Sequence, residues 1–447
     1  MMNVRATWLR VAAIAAGLVL AAHSFAGADD RREDVLRYGL ESDILPLIKE
    51  IEAEGTRDYD SALVELYAKT RSPAIREAVL GLFAQAKVAD LREPVLELLE
   101  DPYDARRSLV VAALEYAGTL KLAEAGPAVR RLAEDEDGKY RDAAIKALGR
   151  IGGAEDVAFL TGFFNGEIPG DEKTRLIVRQ NVMFALAELR APESEPLFLE
   201  AVRDEDENAV IRATAAEALG KIGSEAAVKD LARLFEEQDP ILRVASVKAL
   251  GHFSKPEASA ILLEGFKDAQ YKVRLAALDA AAEGKSPGAY EYVLYRAKHD
   301  PVDAVKLRAY EVLPILDSSR AKAWLFEILE NEKTSDRFRV KAAAVLLAQD
   351  PAEAVRRLEP IVIATLKDDK RKTLRYELGK EIAKADTSQS AGIAEAYLTH
   401  KDVLTRSIGF DMFAKNRYPS LKSIVEGVAA DEKQGALQRR AKRILDE

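Results

Sequence analysis

The chain contains no cysteine. Disulfides, thiolate zinc sites and cysteine nucleophiles are excluded at once. So is the lipid-bearing cysteine of a bacterial lipoprotein, and stability must come from packing alone. Histidine is nearly absent: past residue 28 only His252, His299 and His400 remain, at no metal-ligand spacing. No His-Glu dipeptide and no glycine-rich phosphate loop occurs, so none of the arrangements that announce a metal or nucleotide site is visible. No long apolar run follows Asp29, which predicts a soluble mature chain. Glycine and proline are sparse and aromatics make up 7%. Helix-favouring Ala, Leu, Glu, Lys and Arg dominate, which points to an all-α protein.

An excess of positive charge is also missing. The formal net charge is −9, and nucleic-acid binding calls for basic stripes. Two short basic clusters, Lys367, Lys370, Arg371 and Lys372, and Arg439, Arg440, Lys442 and Arg443, read as solvated helix faces. Carboxylates are so abundant, with 75 Asp and Glu, that pairs arise by chance. No cofactor, metal site or catalytic residue is therefore assigned, and the expectation is a protein that is not an enzyme.

What the chain does have is 48% apolar and 32% charged residues, the balance of a folded chain. Its 447 residues exceed one ordinary core, so it is either several domains or one extended array. Residues 1–28 stand apart. Arg5 and Arg10 precede a short apolar run, Val11 to Ala22, and then small residues. This is the layout of a secretory signal peptide, with cleavage after Ala26 or Ala28. Twelve apolar residues are too few for a comfortable membrane span. An exported chain is expected, in the periplasm of a diderm bacterium, or else secreted or surface-associated.

The rest repeats itself. "YRDAAIKALGRIG" (Tyr140 to Gly152) returns as "IRATAAEALGKIG" (Ile211 to Gly223), and "RVASVKALG" begins at Arg243. Twelve starts can be aligned, at residues 75, 107, 141, 179, 212, 243, 274, 306, 339, 375, 406 and 438, with spacings of 31 to 38. In the 212 copy, Ala215, Ala218, Leu219 and Ile222 mark one helical face. Gly223 sits where a helix end favours a left-handed residue. A second helix is predicted over Ser224 to Glu237 with Ser224 as its N-cap, and Asp239-Pro240 then breaks the chain. Asp101-Pro102 and Asp300-Pro301 play the same part. Each unit is a helical hairpin that cannot bury its apolar face alone, so neighbours must stack. The alanines permit close approach. Ala218→Leu is therefore expected to overpack the stack and cost about 1–3 kcal/mol in chemical denaturation.

An Asp, Pro or acidic turn followed by Arg, paired alanines, "ALG" and "IG" resembles the HEAT repeat family. It most resembles the short HEAT-like subtype also found in phycobilisome lyases. The resemblance is strongest in "DGKYRDAAIKALGRIG", "NAVIRATAAEALGKIG" and "DPILRVASVKALGHF" and covers roughly Ser72 to Glu447. It implies an α-solenoid of about 11–12 stacked hairpins forming a HEAT-like superhelix. It also implies that the Arg heading each unit hydrogen-bonds along the stack. It says little about activity: the bilin-lyase resemblance covers the repeat only, and HEAT-like iron hydroxylases use His-Glu pairs that this chain lacks.

The expected organisation is a signal peptide over 1–28, an atypical helical cap over 29–72 and a repeat solenoid over 73–447. The cap reads as three helices, because an open stack needs a polar end. Departures from the repeat carry the functional expectations. The longest spacing contains "FFNGEIPGDEKTR", Phe163 to Arg175, read as an extended loop that presents Ile168. Tyr292 and Tyr295 lie three apart, with Tyr290 nearby and Trp324 in the next unit. Tyr and Trp are common interface anchors. Tyr292, Tyr295, Trp324 and Ile168 are the candidate contacts for a protein or peptide partner. Removing both tyrosines is expected to leave thermal stability nearly unchanged. The leading expectation is an exported, non-enzymatic scaffold binding a partner along its curved face, without nucleic acid or membrane insertion. The alternatives are a glycan- or peptidoglycan-associated envelope protein and an enzyme with an unrecognised carboxylate site.

Overall fold

Every described element is helical, and no strand occurs among the described residues. The computed structural model describes residues 31–135 and 137–446. The leader read over residues 1–28, with its cleavage points Ala26 and Ala28, lies outside them. The described chain divides into two compact units, one running to Asp230 and one from Leu231. Each is an α-solenoid of antiparallel hairpins.

In the first unit, residues 31–38 and the helices Glu41–Glu54 and Asp60–Lys69 precede the repeats. Arg32 binds the Glu54 carboxylate at 2.7 Å and ties this terminal layer together. Hairpins follow as Pro73–Ala86 with Arg92–Glu100, Arg107–Leu120 with Gly126–Glu134, Arg141–Ile151 with Ala154–Asn165, and Glu172–Leu189 with Glu195–Arg203. Ala209–Ile222 and Val228–Leu234 come next. The second unit continues in the same way, from Pro240–Leu250 with Pro256–Gly265 to Val403–Asn416 with Lys422–Ala430. A single closing helix, Ala436–Asp446, occupies the twelfth start. No helix of the described residues is long and apolar enough to cross a membrane.

The sequence features find their causes here. Gly223 ends its helix at φ 73° and Gly152 at φ 80°, the left-handed turn glycine enters without strain. Asp239 accepts a hydrogen bond from the Ile241 amide at 2.8 Å, with Pro240 in the first helical turn, so the Asp-Pro pair caps a helix as well as breaking one. Alanine and glycine set the helix spacing. A Cβ on Gly149 would lie 2.7 Å from Ala185 Cα, closer than two carbon atoms can pack.

In several units the heading Arg acts on the helix before it. Arg141 Nε donates to Ala133 O at 3.1 Å, Arg339 Nε to Leu329 O at 2.9 Å, Arg375 Nη1 to Thr365 O at 3.0 Å and Arg406 Nε to Leu398 O at 3.0 Å. Each carbonyl belongs to the last turn of the preceding second helix. These carbonyls have no partner within their own helix, and the negative dipole end favours a cation. Five of the series reach forward to the next connection: Arg107 to Lys139 O, Arg179 to Glu207, Arg243 to Asp268, Arg274 to Asp300 and Arg406 to Gln434. The head Arg thus closes a hairpin-to-hairpin turn in some copies and binds along the stack in others.

Two local readings are corrected. The second helix of the 212 copy is a 3₁₀ turn, Glu225–Ala227, followed by Val228–Leu234. Ser224 makes no side-chain cap; its hydroxyl instead bonds Glu195 of the preceding hairpin. The predicted loop Phe163 to Arg175 shrinks to residues 166–171, because helices run to Asn165 and resume at Glu172. Ile168 is not presented to a partner: it is only 6% exposed. It is the one apolar side chain in a short polar connection, and burying it stabilises the turn.

Candidate functional site

The second helices Pro256–Gly265 and Tyr290–His299 belong to successive hairpins of the second unit. Between them lies an apolar cleft of about 390 Å³, lined by Phe266, Lys267, Glu291, Tyr292, Tyr295 and Arg296. Tyr292 and Tyr295 share a helical face, so both side chains reach the same opening. Their roles differ. Tyr295 is 55% exposed. Tyr292 is half-buried, with its ring centroid 6.0 Å from that of buried Phe266. Tyr292 is thus wall and support together, which corrects the expectation that both tyrosines can be removed without loss of stability.

Cations sit over these rings. Lys267 Nζ lies 5.6 Å from the Tyr292 centroid and the Arg296 guanidinium 4.7 Å from that of Tyr295. The His299 ring packs against Tyr295 at 4.9 Å. Such contacts hold an aromatic side chain in place and reduce the ordering cost of binding.

The rim is anchored from below. Arg296 Nη1 reaches Asp300 at 3.4 Å. The Asp300 side chain has no exposed surface; it accepts from Arg274 Nε at 2.7 Å, Arg274 Nη2 at 2.8 Å and the Val302 amide at 2.9 Å. Burial pushes its carboxyl upward, but Arg274, the Val302 N–H and Arg296 outweigh it and hold the group below its ordinary value. Lys267 is pulled toward Glu264, whose hydrogen bond raises its pKa.

The structure therefore brings Tyr292 and Tyr295 together and leaves the other two candidates out. Trp324 is a core residue, 9% exposed and edge-on to Tyr310 at 4.9 Å and 80°. Its large ring fills the hairpin interior, where its apolar area counts most. Tyr290 is likewise buried, with Arg320 stacked 4.0 Å from its centroid. Sequence reasoning missed Phe266, Lys267, Arg296 and Asp300. Arg296 stands beside Tyr295 in the chain, and Asp300 had been read only as a breaker. Phe266 carries no sequence signal linking it to residue 292. Among the described residues no group of three or more His, Asp and Glu is placed to hold a metal ion.

A family model described as spirochaete HEAT repeat protein matches residues 36–444. Solved structures similar to the chain include the CpcE–CpcF complex of phycocyanin lyase from Nostoc sp. PCC7120, at 18% identity over 57% of this chain and 92% of that one, TM-score 0.36. Kap121p bound to Nup53p aligns at 12% identity over 92% of this chain and 52% of that one, TM-score 0.41. Human deoxyhypusine hydroxylase aligns at 18% identity over 60% and 99% of the respective chains, TM-score 0.28. No curated protein matches the chain.

Proposed function

The chain belongs to the spirochaete HEAT repeat protein family, and from that premise we propose that it is an exported, non-enzymatic scaffold. It binds a protein or peptide partner on the face formed by its second helices. The observation that supports this reading is the Phe266–Tyr292–Tyr295 cleft. An aromatic side chain 55% exposed, steadied by a guanidinium and an imidazole beside an apolar pocket, is how an interface anchor is built. Export rests on the composition of residues 1–28, and the partner is then another envelope or secreted protein.

Cross-linking in cells from a photoreactive side chain beside Tyr295, followed by mass spectrometry, tests the proposal. Recovery of a defined protein is expected. Tyr295→Ala should weaken its capture about tenfold or more, with the melting temperature unchanged because the ring is exposed. Tyr292→Ala should lower both. Recovery of cell-wall fragments alone, or capture indifferent to Tyr295→Ala, would overturn the scaffold reading.

A further inference from the structure

A second cleft in the same unit lies on the edge formed by the turns inside the hairpins. We propose that it is a binding site for a neutral sugar. This goes beyond the scaffold reading and does not depend on it.

The cleft opens where the repeat is broken. Helices Arg141–Ile151 and Ala209–Ile222 run up to a left-handed glycine, Gly152 or Gly223. Helix Pro240–Leu250 stops three residues earlier relative to its head Arg. Ser254 and Lys285 stand where those glycines would be, with Lys285 at φ 45°. Gly251 and Gly284 are instead right-handed, at φ −58° and −76°. They let two successive turns touch through their backbones. A Cβ on Gly251 would lie 2.6 Å from Ala280 Cβ, and one on Gly284 would lie 3.1 Å from Gly251 O. Above this contact the unwound segment and the next turn, residues 283–289, enclose about 470 Å³, within the range of small-molecule sites.

The lining fits a polyol better than an ion. Phe253 and Leu262 are buried and form an apolar floor for the C–H face of a pyranose. Ser254, Ser259 and Ser286 line the walls, and none of their hydroxyls is engaged by another described side chain or amide. Each can donate and accept, as sugar hydroxyls do. His252 Nδ1 and the Glu283 carboxylate, from successive turns, face each other at 3.6 Å. That is beyond a direct hydrogen bond and within the span of a bridging hydroxyl. One carboxylate and one ammonium, Glu283 and Lys285, leave no excess of either sign to select an anion or a cation.

Titration of the mature chain with N,N′-diacetylchitobiose, maltose and inorganic phosphate, followed by amide NMR, tests the proposal. At millimolar concentrations at least one sugar should give saturable shifts confined to residues 251–263 and 283–289, and phosphate should give none there. Glu283→Gln should weaken binding about tenfold, the worth of one hydrogen bond to a charged group. Ser259→Trp, an exposed position that would fill the cleft, should abolish binding with the fold retained. Tyr295→Ala should leave it intact. Absence of any sugar effect, a stronger response to phosphate at the same amides, or sugar shifts that survive Ser259→Trp in a folded protein would overturn the site.

Discussion

Asp300→Ala is expected to destabilise the second unit by about 3–5 kcal/mol, the cost of breaking a buried ion pair from one side. The loss comes from what is left behind. Arg274, whose side chain is 5% exposed, keeps its carbonyl partners Asp268 and Ala269 but loses two short bonds to a carboxylate. A buried guanidinium cannot shed its charge to escape the penalty. The Val302 amide loses its acceptor as well. Of the two tryptophans, Trp8 and Trp324, only Trp324 lies among the described residues. It is buried in this same unit, and its fluorescence during urea unfolding reads the effect directly. A midpoint within a few tenths molar of wild type would show that the pair is not integral.

The same residue sets an acid response. The Asp300 carboxyl is held below its ordinary value of 3.8 in the folded state. Its stabilisation is therefore fully present above that value and is lost as pH falls through the lower folded value. The wild-type advantage over Asp300→Asn should be flat above about pH 5 and shrink below about pH 4. Asp300 also steers Arg296. Asp300→Asn should accordingly weaken partner capture at Tyr295 at a pH and temperature where the variant is still folded.

Leu219→Ala is expected to cost about 2–5 kcal/mol, toward the upper end. Leu219 is fully buried on a helix whose other core positions include Ala215, Ala216 and Ala218. Refilling the cavity would require neighbours to move inward. Alanines have no reach, and small-residue packing already brings helices of this unit to contact, as Gly149 shows against Ala185. Leu219→Met keeps the volume and should cost under about 1.5 kcal/mol. Urea unfolding followed by far-ultraviolet circular dichroism measures both, and an unchanged slope would place the difference in the folded state. A Leu219→Ala loss no larger than that of Leu219→Met would show that the stack collapses to fill the space.

Much of this molecule was legible as text. The period, the hairpin, the glycine at Gly223 and the Asp-Pro cap at Asp239 are local rules, satisfied within a few residues of the chain. The head Arg was recognised as structural, yet its acceptors are the carbonyls of the preceding helix as well as carboxylates ahead. Errors arose where a side chain's environment is built from distant segments. Ile168 and Trp324 have the composition of anchors and the positions of core residues.

Residue order along the chain was enough to specify an all-α stack of hairpins, because helical periodicity and small-residue spacing act over one or two turns and repeat twelve times. Which departures from that pattern make a surface was settled only in three dimensions. Phe266 meets Tyr292, His252 meets Glu283 and Arg274 meets Asp300 across the gap between successive hairpins. Such pairs lie about one repeat apart in sequence, a separation that every position shares. Only the packing of one hairpin on the next decides which of them share a cleft, a buried charge or open water.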